Sequence, residues 1–268
     1  MSDFADDTVR GHAEAERAAH AEVEAPTGHQ VRTVPRCFPS RPAAAVDQSL
    51  RTREVPPAAR MLDGLSDRGA NGIAGVLPAM VCGEESAVLV FENERRRAPV
   101  DLFAGSCAML ARIAAEEEGH EVLLRSIAGQ LPAPDHDASV RRLARRFFAS
   151  LHTDDIGTHF ARIAWLDSGV CIVLSVIGRL AAPCAAAPAL GAALRSIVRD
   201  EARHVAFSRR YAAHLRAPVS DDRESFMLVR GGLVALLEPC AGALEQLEVN
   251  VDQLFQRLKR RGSLRDSA

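Results

Sequence analysis

The amino-acid sequence predicts an all-α protein, a four-helix bundle with additional helices. Three observations carry this. Alanine and leucine dominate while aromatic residues make up 4% of the chain, a mix that favours helices over sheets. No segment alternates apolar and polar residues with the period of two that a half-buried strand needs. Prolines at 99, 132, 183 and 218 close long stretches of helical periodicity.

Taken in order, residues 1–65 stand apart. Their first 25 residues suit a short polar helix, after which Pro26, Pro35, Pro39, Pro42, Pro56 and Pro57 interrupt any regular pattern. This segment reads as a Pro-rich arm, poorly ordered or wrapped on the domain or a partner. Residues 66–262 read as one helical domain. Helices are expected over about Leu77–Arg97, Asp101–Gln130, Ala138–Leu151, Asp155–Ala182 and Ala189–Leu215. A last one is expected over Arg223–Arg261, kinked at Gly231-Gly232 and Pro239.

Composition excludes several classes. A net charge of −2 offers no electrostatic footprint for nucleic acid. The six cysteines are never closer than 13 residues, so they form no Cys-x-x-Cys metal site, and their scatter fits a reducing compartment. The acidic, polar start is unlike a secretory signal. The longest apolar run, within Ser168–Leu190, is broken by Arg179 into flanks too short for the ~20 residues a membrane span needs. A cytoplasmic protein without a membrane segment is therefore expected.

Two Glu-x-x-His pairs carry chemistry: Glu117 with His120 in EEEGHE, and Glu201 with His204 in RDEARH. On a helix this spacing puts both side chains on one face. Chance alone predicts about 0.6 such pairs here, so the pairs mean little without context. The context is apolar. Leu110, Ile113 and Leu124 share the first face; Leu194, Ile197, Ser208 and Tyr211 share the second. Buried charge in such stripes demands a partner. Each pair also has an acid 32–34 residues upstream, the distance that returns an antiparallel neighbour to the same height. Asp167 precedes Glu201 amid Phe160, Ile163, Val170, Cys171 and Leu174. Glu84 or Glu85 precedes Glu117. Glu84 is preferred because it shares a face with Met80, Val88 and Phe91, whereas Glu85 shares one with Glu92. Finally, Glu116 and Asp200 stand beside the two ligand glutamates. Ligand histidines usually donate their second N–H to an outer carboxylate, so Asp200 is expected to support His120 and Glu116 to support His204. Four carboxylates balance two divalent cations, and oxygen with imidazole donors suits iron or manganese.

This pattern resembles the ferritin-like di-iron carboxylate superfamily, over about residues 77–215. The resemblance implies a ferritin-like four-helix bundle with two iron ions, or a manganese–iron pair, held by Glu84 or Glu85, Glu117, His120, Asp167, Glu201 and His204. Glu116, Asp200 and Cys171 are expected next to them. Departures narrow the choice. Leu124 occupies the position of the radical tyrosine of the ribonucleotide reductase small subunit. The four-cysteine site of rubrerythrins is missing. Ile197 stands where arylamine N-oxygenases carry a third histidine, and Asp167 replaces the usual glutamate. The expected activity is O2-dependent oxidation of a small organic metabolite: hydroxylation, N-oxygenation, desaturation or C–C cleavage. Its partners would be the substrate, O2, an external reductase and a second copy of the chain. A ferroxidase, or a helical interaction protein with a degenerate metal site, are the alternatives.

Overall fold

The computed structural model describes residues 61–97, 100–180, 186–215 and 223–260; of the expected arm, residues 1–60 lie outside them. The described residues are helical, with no strand among them. The helices are α1 (Asp67–Arg97), α2 (Ser106–Ala128), α3 (Asp137–Ser150), α4 (Ile156–Leu180), α5 (Pro188–His214) and α6 (Arg223–Leu237). A 3-10 turn (Glu238–Cys240), α7 (Ala241–Gln246) and α8 (Val251–Lys259) follow.

Helix α1 begins ten residues earlier than its periodicity predicts. The extra turns contain Gly69, Gly72 and Gly75, which lower helix propensity. Tertiary packing reverses the preference. A Cβ on Gly72 would lie 2.7 Å from Leu247 Cγ, and one on Gly75 would lie 2.4 Å from Ala243 Cβ. The missing side chains let α7 lie directly against α1. Pro78 sits inside α1 without ending it. Near it, His136 Nε2 donates to Gly75 O at 2.9 Å.

Local chemistry sets the other boundaries. Asp101 accepts from the Cys107 N–H at 2.7 Å and from the Gly105 N–H at 3.1 Å, so α2 starts after a capped turn instead of at Asp101. Asp155 caps α4 by accepting from the Thr158 N–H at 2.6 Å. The single long C-terminal helix expected from sequence is in fact three. Pro239 opens the 3-10 turn. Glu248 at φ 61° ends the next segment, and the Asn250 side chain caps α8. Gly231-Gly232 does not interrupt α6. Gly232 instead admits the Phe147 ring, whose Cε2 lies 2.4 Å from where a Cβ would stand.

The main packed pairs are α1 with α2 and α4 with α5; α6 lies on α4, and α3 and α7 lie on α1. Ser225 near Arg162 and Arg230 near Ser168 show that α4 and α6 run in the same direction. Phe91, Leu110, Phe160, Ile197, Val229 and Leu254 belong to one continuous core.

Three stretches are long and apolar enough to cross a membrane by length and composition: Asp67–Arg97, Ile156–Gly178 and Arg223–Gln246. This corrects the sequence expectation that no run suffices, since Arg179 lies just past the second stretch. The apolar residues are largely used by the protein itself. In the first two stretches 67% and 72% of the apolar window is buried, and in the third 50%.

Candidate metal centre

Four helices each place an acid at one buried location. Glu84 comes from α1, Glu117 from α2, Asp167 from α4 and Glu201 from α5. All are at most 7% exposed, as are His120 (6%) and His204 (0%). Ligand atoms of Glu84, Glu117, His120 and Glu201 all lie within 4.8 Å of one another, so these four could hold a metal ion. Around that group, His120 Nδ1 is 3.6 Å from Glu84 Oε2, 3.5 Å from Glu117 Oε2 and 3.8 Å from Glu201 Oε1. His204 Nδ1 is 2.9 Å from Glu117 Oε1 and 3.7 Å from Glu201 Oε2. The two imidazole centroids are 6.3 Å apart. Asp167, the shortest of the four acids, stays outside the tight group but lines the same cavity as Glu84, Glu117 and Glu201.

The donor set fits a metal because its inward atoms lack other partners. Among the described residues, eight buried side-chain nitrogen and oxygen atoms make no hydrogen bond. Four of them are Glu117 Oε2, His120 Nδ1, Asp167 Oδ2 and His204 Nδ1. Orphaned buried polar atoms are costly and rare, yet here they gather at one place.

The outward atoms are fully engaged. His120 Nε2 lies 3.2 Å from Asp200 Oδ2, and His204 Nε2 lies 3.0 Å from Glu116 Oε2. Both contacts cross between α2 and α5, in the pairing expected from sequence. They fix the tautomer that leaves each Nδ1 free to bind a cation. Sequence reasoning missed Arg203, whose Nη2 donates to Asp200 Oδ1 at 2.7 Å and to Glu116 Oε1 at 2.8 Å. Its place between Glu201 and His204 was the available signal. Arg112 adds a 2.9 Å bond to Glu116.

Electrostatics record the crowding. Burial and the neighbouring Glu117 push Glu84 well above the usual carboxylate range. Burial, then Glu201 and Glu117, do the same to Asp167; burial and Glu117 raise Glu201. Glu117 behaves oppositely: burial disfavours its charge, but contacts with His120 and His204 outweigh this and hold it low. Burial likewise opposes charge on the imidazoles, yet the surrounding carboxylates raise both. Glu116 and Asp200 are held at about 2 despite burial, the first by His204 and Arg112, the second by His120 and Arg203.

One expected site residue lies elsewhere, while Cys171 stays near Glu201 and Asp167. Glu85 is not brought to the group: it faces outward and pairs with Arg125, which also holds Glu121 at 2.9 Å. One position along a helix turns a side chain by about 100°, enough to exchange interior for surface. Cys171 hydrogen-bonds none of the six donors. Its Sγ faces Val198 O at 3.9 Å, and burial pushes the thiol up to about 12. Beyond His204, Tyr211 donates to Glu94 Oε1 at 2.7 Å inside a cluster with Phe160 and Phe207.

Beside the centre, between α1, α3, α4 and α6, lies a cavity of about 80 Å³. The four acids form its polar part and apolar side chains of α1, α3, α4 and α6 its walls. No known family model matches the chain, and no curated protein or solved structure is significantly similar to it.

Proposed function

We propose that this chain is a ferritin-like, O2-dependent di-iron oxidoreductase acting on a small organic molecule. One observation carries the reading: six inward donors from four helices, with the orphaned atoms Glu117 Oε2, His120 Nδ1, Asp167 Oδ2 and His204 Nδ1 gathered beside a largely apolar cavity. Helices α1, α2, α4 and α5 would form the four-helix core of the superfamily, with α3 and α6–α8 as additions.

Glu84, Glu117, Asp167 and Glu201 supply four negative charges, which two divalent cations would neutralise. Glu84, Glu117, His120, Asp167, Glu201 and His204 would hold these ions, Glu117 and Glu201 lying near both imidazoles. A manganese–iron pair would satisfy the same donors. Once bound, two reduced irons supply the electrons that activate O2. The chain's own part is structural and electrostatic. Asp200 and Glu116 hold the imidazoles by their Nε2 protons. Apolar side chains of α1, α3, α4 and α6 would hold the substrate near the carboxylates. Cys171, its thiol kept protonated, would serve as a small packing residue near Glu201 and Asp167.

The cavity favours an organic substrate over a ferroxidase role, because iron storage needs no apolar chamber. Electrons would come from an external reductase. The apolar faces of α1 and α4 bury Glu84 and Asp167 inward, which favours a soluble bundle in the cytoplasm over a membrane span. A second copy of the chain could pack on it as a dimer.

Anaerobic Fe(II) loading followed by O2 exposure tests the reading. It predicts two irons retained per chain and rapid O2 consumption, both lost in Glu117→Ala and Glu201→Ala. Iron released into a mineral core within a cage-sized assembly would replace it with iron storage. Iron uptake unchanged by either substitution would refute it.

A further inference from the structure

We propose that the cavity beside the carboxylates takes an uncharged, predominantly hydrocarbon molecule and excludes organic anions. As the substrate class of the centre, this rests on the di-iron reading; as a binding property it does not.

The lining carries the inference. Among the described residues, its polar lining is Glu84, Glu117, Asp167 and Glu201. Met80, Phe148, Leu166, Val170, Leu233 and Leu237 are among the apolar rest. No described arginine, lysine or histidine lines it. The cations near the centre stand behind it: His120 and His204 are backed by Asp200 and Glu116, which share Arg203. An incoming carboxylate or phosphate would therefore find no basic side chain in the lining to pair with. A hydrocarbon segment would meet complementary walls, and a hydroxyl or carbonyl-hydrate O–H could donate to the unpartnered Asp167 Oδ2 or Glu117 Oε2.

Helix α1 keeps the room open. Ala79, Gly83 and Ala87 follow one another at four-residue spacing and all face the cavity. Gly83 is the informative one. Glycine weakens a helix interior, and Gly72, Gly75 and Gly169 are explained by close packing. At Gly83 a Cβ would meet only Phe148 Cζ, at an ordinary 3.5 Å. Packing therefore accepts alanine there. A larger side chain would project into the empty space, so what a small residue preserves at this position is cavity.

Calorimetric titration of the metal-free full chain with octan-1-ol and with octanoate tests this, at about pH 8 where the acid is ionised. Saturable binding of the alcohol, at least about tenfold tighter than octanoate, is expected. Gly83→Ala should bind it within about twofold of wild type, and Gly83→Leu should lose about tenfold or more. Val170→Phe, filling the opposite wall, should lose it as well, which keeps the test valid if Gly83→Leu fails to fold. Octanoate binding as tightly as the alcohol, no saturable alcohol binding, or binding indifferent to both filling substitutions would overturn the proposal. Iron uptake measured on the same preparations separates the two readings. Alcohol binding without iron uptake supports the cavity and removes the di-iron centre. Iron uptake without alcohol binding does the reverse.

Discussion

Glu116 and Asp200, on facing helices, share one donor: Arg203 Nη2 lies 2.8 Å from Glu116 Oε1 and 2.7 Å from Asp200 Oδ1. Each acid then uses its other oxygen to hold the histidine of the opposite helix. The two imidazoles are thus tied to one another through a single guanidinium at the back of the centre. Losing an outer carboxylate of this kind typically costs 10–100-fold in metal affinity. Asp200→Asn and Glu116→Gln should each weaken metal binding by about that much. Arg203→Gln, whose side chain is 44% exposed, should cost less than about tenfold. Competition titration with a chromophoric chelator measures all three.

Glu84→Gln and Glu85→Gln should separate cleanly although the residues are neighbours. The first removes an inward donor and should abolish stoichiometric metal binding. It should also raise the melting temperature of the metal-free protein, because Glu84 is a buried acid facing Glu117. The second breaks only a partly exposed pair with Arg125 and should change stability by no more than about 0.5 kcal/mol. Metal titration and calorimetry on both variants check this.

Metal-free protein should become less stable as pH rises. The folded-state values of His120, His204, Glu84, Asp167 and Glu201 are all raised above ordinary values of 6.5 for His, 4.5 for Glu and 3.8 for Asp. A raised folded value favours the protonated native state below the unfolded value, and that advantage disappears as pH climbs through the folded value. The histidine contribution is therefore complete below about pH 6 and declines above about pH 6.5. Metal binding should reverse the trend, since it needs neutral imidazoles and ionised acids and so releases protons. Thermal melts with and without Fe(II) from about pH 6 to about pH 9 should diverge. Parallel curves would contradict the raised values.

Tyr211→Phe should destabilise the fold by about 1–3 kcal/mol, because Glu94 is left buried without its donor. For a chain of this size that is a drop of about 2–10 °C. Pairing it with Glu94→Met, which removes the acceptor, in a double-mutant cycle isolates the hydrogen bond.

The centre was more legible than the scaffold around it. Two Glu-x-x-His pairs, their upstream acids and the cross-supports Asp200–His120 and Glu116–His204 follow from the 3.6-residue period and from antiparallel return distances, both local rules. The choice of Glu84 over Glu85 rests on the wider apolar face around Glu84, and Arg125, 40 residues away in sequence, completes it. The first turns of α1 escaped because Gly72 and Gly75 read as breakers until α7 is seen packed on them. The cavity was not legible at all. Its walls join Phe148 of α3, Val170 of α4 and Leu237 of α6, whose meeting depends on tertiary packing that no periodicity encodes.

Anomalous diffraction at the iron edge, from crystals grown after anaerobic Fe(II) loading, tests the convergence of the six donors most directly. Two peaks about 3.5–4 Å apart are expected among Glu84, Glu117, His120, Asp167, Glu201 and His204. Metal bound only at surface carboxylates, or no peak at all with these side chains arranged as described, would contradict it.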